Sequence, residues 1–177
     1  MGDGPSPLPI VIDRQIALSN ADETRALPAR DTLARWVAEV LRRHPEEKRH
    51  ELTVRFVDSE ESRTLNRDYR GKDRPTNVLS FSFDAPAGIE LPLLGDLVIC
   101  HEVVVREAHE QDKSLVAHYA HMVVHGTLHL LGYDHIEESE AERMERLERE
   151  ILASFGINDP YLLTPRPLDS EDKRPDA

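Results

Sequence analysis

The sequence has a single cysteine, Cys100, in 177 residues. One thiol cannot close an internal disulfide, so nothing in the chain points to an oxidising compartment. Cys100 ends the apolar run Leu97-Val98-Ile99-Cys100, where a buried, inert thiol is expected rather than a nucleophile. Long apolar runs are also missing. No stretch approaches the ~20 residues of a membrane-spanning helix. The start, Met1-Gly2-Asp3-Gly4-Pro5-Ser6, shows no basic region followed by an apolar one, so no secretory signal is read there and the cytoplasm is the expectation. Basic residues are in deficit: 22 Lys and Arg stand against 34 Asp and Glu, a formal net charge of -12. That excludes coating nucleic acid by bulk charge, which works by neutralising phosphates, but it leaves room for a local basic patch.

A chain of this length can bury a core without help from a metal or a disulfide, so a bound metal would serve chemistry first. The layout expected is a flexible N-terminus over 1–8, one domain over 9–163 and a disordered tail over 164–177, the tail being proline-rich and charged. Period-2 patterning predicts strands at Pro9–Ile12, Leu52–Val57 and Val78–Phe83, and the apolar run at Leu97–Cys100 predicts a central one. Helical spacing predicts helices over Ala29–Arg43 (capped by Asp31 or Thr32), Ser59–Arg70, His101–Gln111, Leu115–Leu131 and Glu137–Phe155. Pro86, Gly88 and Pro92 mark Asp84–Leu94 as a loop. The glutamate-rich stretch from Glu137 to Glu150 reads as a solvated helix face. The fold class is α+β: a small mixed sheet of about four strands packed with about five helices in a single domain.

The most informative stretch is His125-Gly-Thr-Leu-His129-Leu-Leu-Gly132-Tyr-Asp-His135. Histidines four apart on a helix leave from the same face one turn apart, close enough for both to meet one ion at the ~2.0–2.1 Å of a Zn–N bond. Gly132 follows the last apolar residue, where a helix stop with positive φ is expected. His135 can then fold back as a third ligand. Three imidazoles leave a fourth position for water, the arrangement of a catalytic zinc site. His121 continues the row one turn earlier and is read as a buried outer partner rather than a fourth ligand.

The same spacing occurs in metzincin peptidases, which carry a glutamate directly after the first histidine as general base. Here that residue is Gly126, so a peptidase lacks its base. A phosphodiester substrate would instead require positive charge on its oxygens, which arginine supplies with a planar, permanently charged fork. Tyr69-Arg70-Gly71-Lys72-Asp73-Arg74-Pro75-Thr76-Asn77 offers such groups in a turn that leads into a strand.

Three segments carry a family resemblance: Asn66-x-x-Tyr-Arg-Gly-Lys-Asp-x-Pro-Thr-Asn-Val-Leu-Ser-Phe81, Leu94-Gly-Asp-Leu-Val-Ile-Cys100 and His121-Met-Val-Val-His-Gly-x-Leu-His-Leu-Leu-Gly-Tyr-Asp-His135. From about Ile10 to Leu162 the chain resembles the YbeY family of bacterial endoribonucleases, also described as rRNA maturation factors. The resemblance implies a single-strand-specific zinc endoribonuclease with one zinc ion per chain. It implies a role in 16S rRNA 3′-end maturation and ribosome quality control, alongside the small ribosomal subunit and the GTPase Era. It makes Arg70 and His125 the catalytic residues and His125, His129 and His135 the metal ligands. Arg67, Lys72 and Arg74 are then expected to contact RNA. Two other readings compete: a non-catalytic ribosome-assembly factor with structural zinc, and the metzincin-like metallopeptidase disfavoured by Gly126.

Overall fold

The computed structural model describes residues 9–134 and 137–161. The terminal segments at 1–8 and from 162 onward, together with His135 and Ile136, lie outside the described residues. Four strands form one mixed sheet: β1 (Val11–Ala17), β2 (Glu51–Val57), β3 (Val78–Ser82) and β4 (Leu93–Cys100). Their spatial order is β1-β2-β4-β3; β1 and β4 run parallel to β2, and β3 is antiparallel to β4. The helices are α1 (Arg30–Arg42), α2 (Ser59–Arg70), α3 (His101–Glu110), α4 (Leu115–Leu130) and α5 (Glu138–Ser154), with a 3-10 turn at Ala21–Ala26. This is the expected α+β architecture.

The parallel neighbours follow from connections long enough to cross the sheet, since α1 separates β1 from β2. Side chains alternate across β2 and β4. Leu52, Val54, Phe56, Leu94, Leu97 and Ile99 enter the main core with α1, α4 and α5. Val57, Val98 and Cys100 join a smaller cluster on the opposite face, with Leu79, Val103 and Leu65 of α2. Cys100 is fully buried, and burial raises its thiol pKa, in keeping with an inert thiol.

Some boundaries differ from the periodicity. β1 runs five residues past Ile12, because Asp13, Arg14 and Gln15 pair along the edge of β2 despite their polarity. β4 starts at Leu93, inside the span expected as a loop. Helix α1 begins at the N-cap Ala29 with no side-chain cap bond, so neither Asp31 nor Thr32 caps it. Helix α4 is apolar on nearly every side and is buried accordingly, from His118 to Leu128 without interruption. It ends as expected, with Gly132 at φ 106 in a conformation that suits glycine. Among the described residues no helix is long and apolar enough to cross a membrane.

Candidate metal centre

Helix α4 carries His121, His125 and His129 one turn apart, and the first two meet Glu148 of α5. His121 and His125 are each 8% exposed, and His129 is half-buried. The rings of His125 and His129 lie 4.6 Å apart, centroid to centroid, at 78° to each other. Two imidazoles bonded to one ion at ~2.0–2.1 Å place their centroids about 5 Å apart. The pair therefore fits a shared cation. His121 and His125, at 6.2 Å, stand further apart than that. His135 lies outside the described residues.

Glu148 of α5 is fully buried against this row. Its Oε2 lies 2.7 Å from His125 Nδ1 and its Oε1 lies 2.9 Å from His121 Nε2. The Tyr161 hydroxyl donates to Oε1 as well. His121, His125 and Glu148 together form a possible metal site, their ligand atoms all within 4.8 Å of one another. Burial alone would raise the Glu148 carboxyl, but attraction to His125 and hydrogen bonds from both histidines outweigh it and hold it far below the usual carboxylate range. Burial lowers His121 to about 4. At neutral pH Glu148 is thus an anion that can only accept, and His121 is a neutral imidazole that donates through Nε2. Its Nδ1 is buried and accepts no hydrogen bond among the described residues.

Glu148 contradicts the reading of Glu137–Glu150 as a solvated face, because it stands in the inward stripe of α5 with Met144, Ile151 and Leu152. A signal was available in the sequence: a glutamate four residues after Met144 and three before Ile151 occupies an apolar register, and a charge there needs a partner. Tyr161 carried no such signal. It reaches the site because Asp159 Oδ1 accepts its backbone N–H and Arg149, paired to Asp159 at 3.0 Å, lies over its ring.

The approach of α4 to the sheet accounts for Gly126. A Cβ there would stand 2.8 Å from Leu97 Cδ2 and 3.3 Å from Ser80 Oγ. Position 126 thus points at the sheet, away from the histidine row, and a glutamate would clash with Leu97.

The basic turn lies at the end of α2. Arg70 is the last residue of that helix and is half-buried, and Gly71, at φ 74, ends it. The turn is stapled back onto the helix: Asn66 Nδ2 donates to Arg74 O, and Ser62 Oγ exchanges hydrogen bonds with the backbone of Thr76. Asn77 then hands the chain to β3, which packs on α4, where Ser80 Oγ donates to Gly126 O. The candidate RNA contacts differ in exposure. Arg67 is exposed and paired with its neighbour Asp68 at 3.2 Å, Arg74 is exposed, and Lys72 is half-buried. Arg63 grips Asp73 through two hydrogen bonds, of 2.7 and 3.1 Å, which removes the turn's negative charge from competition.

Comparison with known proteins adds the following. The family described as Endoribonuclease YbeY matches residues 17–156. A protein of Chromohalobacter salexigens named Endoribonuclease YbeY is 67% identical over 150 residues, spanning 85% of this chain and 96% of that protein. The solution structure of TM1509 from Thermotoga maritima superposes with a TM-score of 0.51 at 24% identity, over 84% of this chain and 95% of that one, which shows a shared fold.

Proposed function

Since the chain belongs to the YbeY endoribonuclease family, we propose that it is a zinc-dependent, single-strand-specific endoribonuclease acting in 16S rRNA 3′-end maturation and ribosome quality control. Its partners in this reading are the 16S precursor, the small ribosomal subunit and the GTPase Era, and its place is the cytoplasm. The observation that carries the metal dependence is the pair of imidazoles 4.6 Å apart on one face of α4, backed by a buried carboxylate. His125, His129 and His135 would hold the ion. When bound, zinc supplies an electrophile and acidifies water toward a pKa of ~7.

The protein's own groups do the rest. His125 keeps Nδ1 on Glu148 and offers Nε2. Arg70, fixed at the end of α2 by the Gly71 stop, stabilises charge developing on the scissile phosphate, an electrostatic role suited to a guanidinium. Lys72, Arg74 and Arg67 guide the strand by its phosphates, which a chain of net charge -12 can do only locally.

The test is cleavage of a single-stranded RNA with a 16S 3′-end sequence by the zinc-loaded chain, beside Arg70→Ala and His125→Ala purified identically. The expected result is cleavage by the wild type alone, with normal zinc content in Arg70→Ala. Equal cleavage by all three proteins would assign the activity to a contaminant. A wild type that holds zinc but cleaves only in the presence of the small subunit or Era would place substrate presentation with those partners. A folded His125→Ala variant that still binds ribosomal subunits but does not cut separates the enzyme from an assembly factor with structural zinc.

A further inference from the structure

We propose that Glu148 is a positioning residue of the metal centre: its carboxylate fixes His125 by Nδ1 so that Nε2 is the nitrogen presented to the cation, and it binds that ring to His121 and Tyr161 as one buried unit. The proposal rests on the reading of His125 and His129 as ligands.

Distances separate positioning from direct ligation. Two ligand atoms of a tetrahedral ion with bonds of ~2.0 Å stand about 3.3 Å apart. The Glu148 oxygens stand 2.7 Å from His125 Nδ1 and 2.9 Å from His121 Nε2. These are hydrogen-bond lengths, with a proton between the atoms. At these lengths each carboxylate oxygen accepts one imidazole N–H. A His125 ring that donates through Nδ1 presents Nε2 as the nitrogen for a cation, and the carboxylate behind it makes Nε2 a stronger base. The ring centroids agree: His125 faces His129 at 4.6 Å and His121 at 6.2 Å, so the shared-ion spacing lies on the side of His125 away from His121.

The joint is built to stay. Glu148 is 0% exposed in a wall of Met144, Ile151 and Leu152, so water cannot replace its donors. Tyr161 supplies a further donor. The segment bearing it is tied to α5 through Asp159 and Arg149, so the chain beyond α5 closes over the carboxylate.

The experiment uses the full chain, stripped of metal and titrated with zinc against a chelator, as wild type, Glu148→Gln, Tyr161→Phe and His129→Ala. Cobalt(II) absorption is read on each, together with a thermal melt. A carboxamide retains the shape but loses the charge and one acceptor. Glu148→Gln is expected to bind one zinc about 10- to 100-fold more weakly, the usual effect of removing an outer partner, with an unchanged cobalt spectrum. Tyr161→Phe is expected to show a smaller loss in the same direction. Wild-type affinity in Glu148→Gln overturns the proposal. A changed cobalt spectrum overturns it differently, by making Glu148 a ligand. If Glu148→Gln does not fold, imidazole nitrogen NMR of the zinc-loaded wild type decides. Zinc on His125 Nε2 with a downfield Nδ1 proton supports the proposal, and zinc on Nδ1 overturns it. Tight zinc retention by His129→Ala would instead remove the underlying ligand reading, independently of what Glu148 does.

Discussion

Helix α4 meets a carboxylate from each of two neighbouring helices, and the two meetings differ. Near its N-terminal end His118 Nε2 lies 2.8 Å from Glu107 of α3. One to two turns later His121 and His125 meet Glu148 of α5. Glu107 keeps a fifth of its side chain exposed (21%), and Glu148 none. Glu107 also accepts from Asn77 Nδ2 at 3.0 Å, and Asn77 O accepts from Cys100 N. The first station therefore sews the basic turn and the start of β3 to the helix layer. The second, among the described residues, holds two imidazoles and the Tyr161 hydroxyl. The chemical pair is the same in both places, and what differs is how dry it is and what the imidazole's other nitrogen faces. His118 Nδ1 faces the Lys113 ammonium at 3.4 Å, whereas the His125 ring stands 4.6 Å from that of His129. On the proposed reading, what the second nitrogen faces separates a structural histidine–carboxylate pair from a metal-supporting one.

The sharpest way to break this comparison is deletion of each carboxylate in the metal-free chain. Glu148→Ala removes the buried acceptor that two imidazoles and a phenol share, and is expected to cost about 3–5 kcal/mol in urea unfolding. Glu107→Ala, at a wetter site, is expected to cost about 1–3 kcal/mol. Equal losses would mean that burial does not distinguish the two stations.

A second test uses acid. Burial alone would raise Glu107, but hydrogen bonds from His118 and Asn77 outweigh it and leave its pKa below the ordinary 4.5. Its contribution to stability is therefore present above pH 4.5 and fades as pH falls through the lowered folded value. Urea midpoints of wild type and Glu107→Gln, followed from pH 7 to pH 3, should converge toward the acid end. A gap that stays constant would show that the charge of Glu107 plays no part.

The smallest effect concerns Lys113, whose amine burial lowers from 10.5 to about 8. Between those values the unfolded chain holds a proton that the folded chain has lost, so stability rises with pH across that window. Lys113→Met is expected to raise Tm by a few degrees at pH 7, with the gain shrinking between pH 8 and 10.5. A melting temperature below that of wild type at pH 7 would show that the contact with His118 outweighs burial.

The parts of the molecule legible in the sequence share a property. The span of helix α2, from Ser59 to Arg70, is legible, although the N-cap is Asp58 rather than Ser59. Helix α4, its histidine row and the Gly132 stop were readable as well. Each is written in spacings of three, four or seven residues, or in a backbone angle only glycine takes easily. The polar edge strand β1 is longer than its patterning shows, because its pairing with β2 supplies what its side chains do not advertise.

The sequence alone determined the histidine-bearing face of α4, because a helix places residues four apart on one side wherever it folds. What needed the folded chain was the partner: that Glu148 would meet His121 and His125, that Tyr161 would donate to it, and that Gly126 would lie against Leu97. Periodicity fixes where a side chain points around its own element. The partner that a buried charge must find belongs to another element, and its identity emerges only when those two surfaces meet and water is expelled between them.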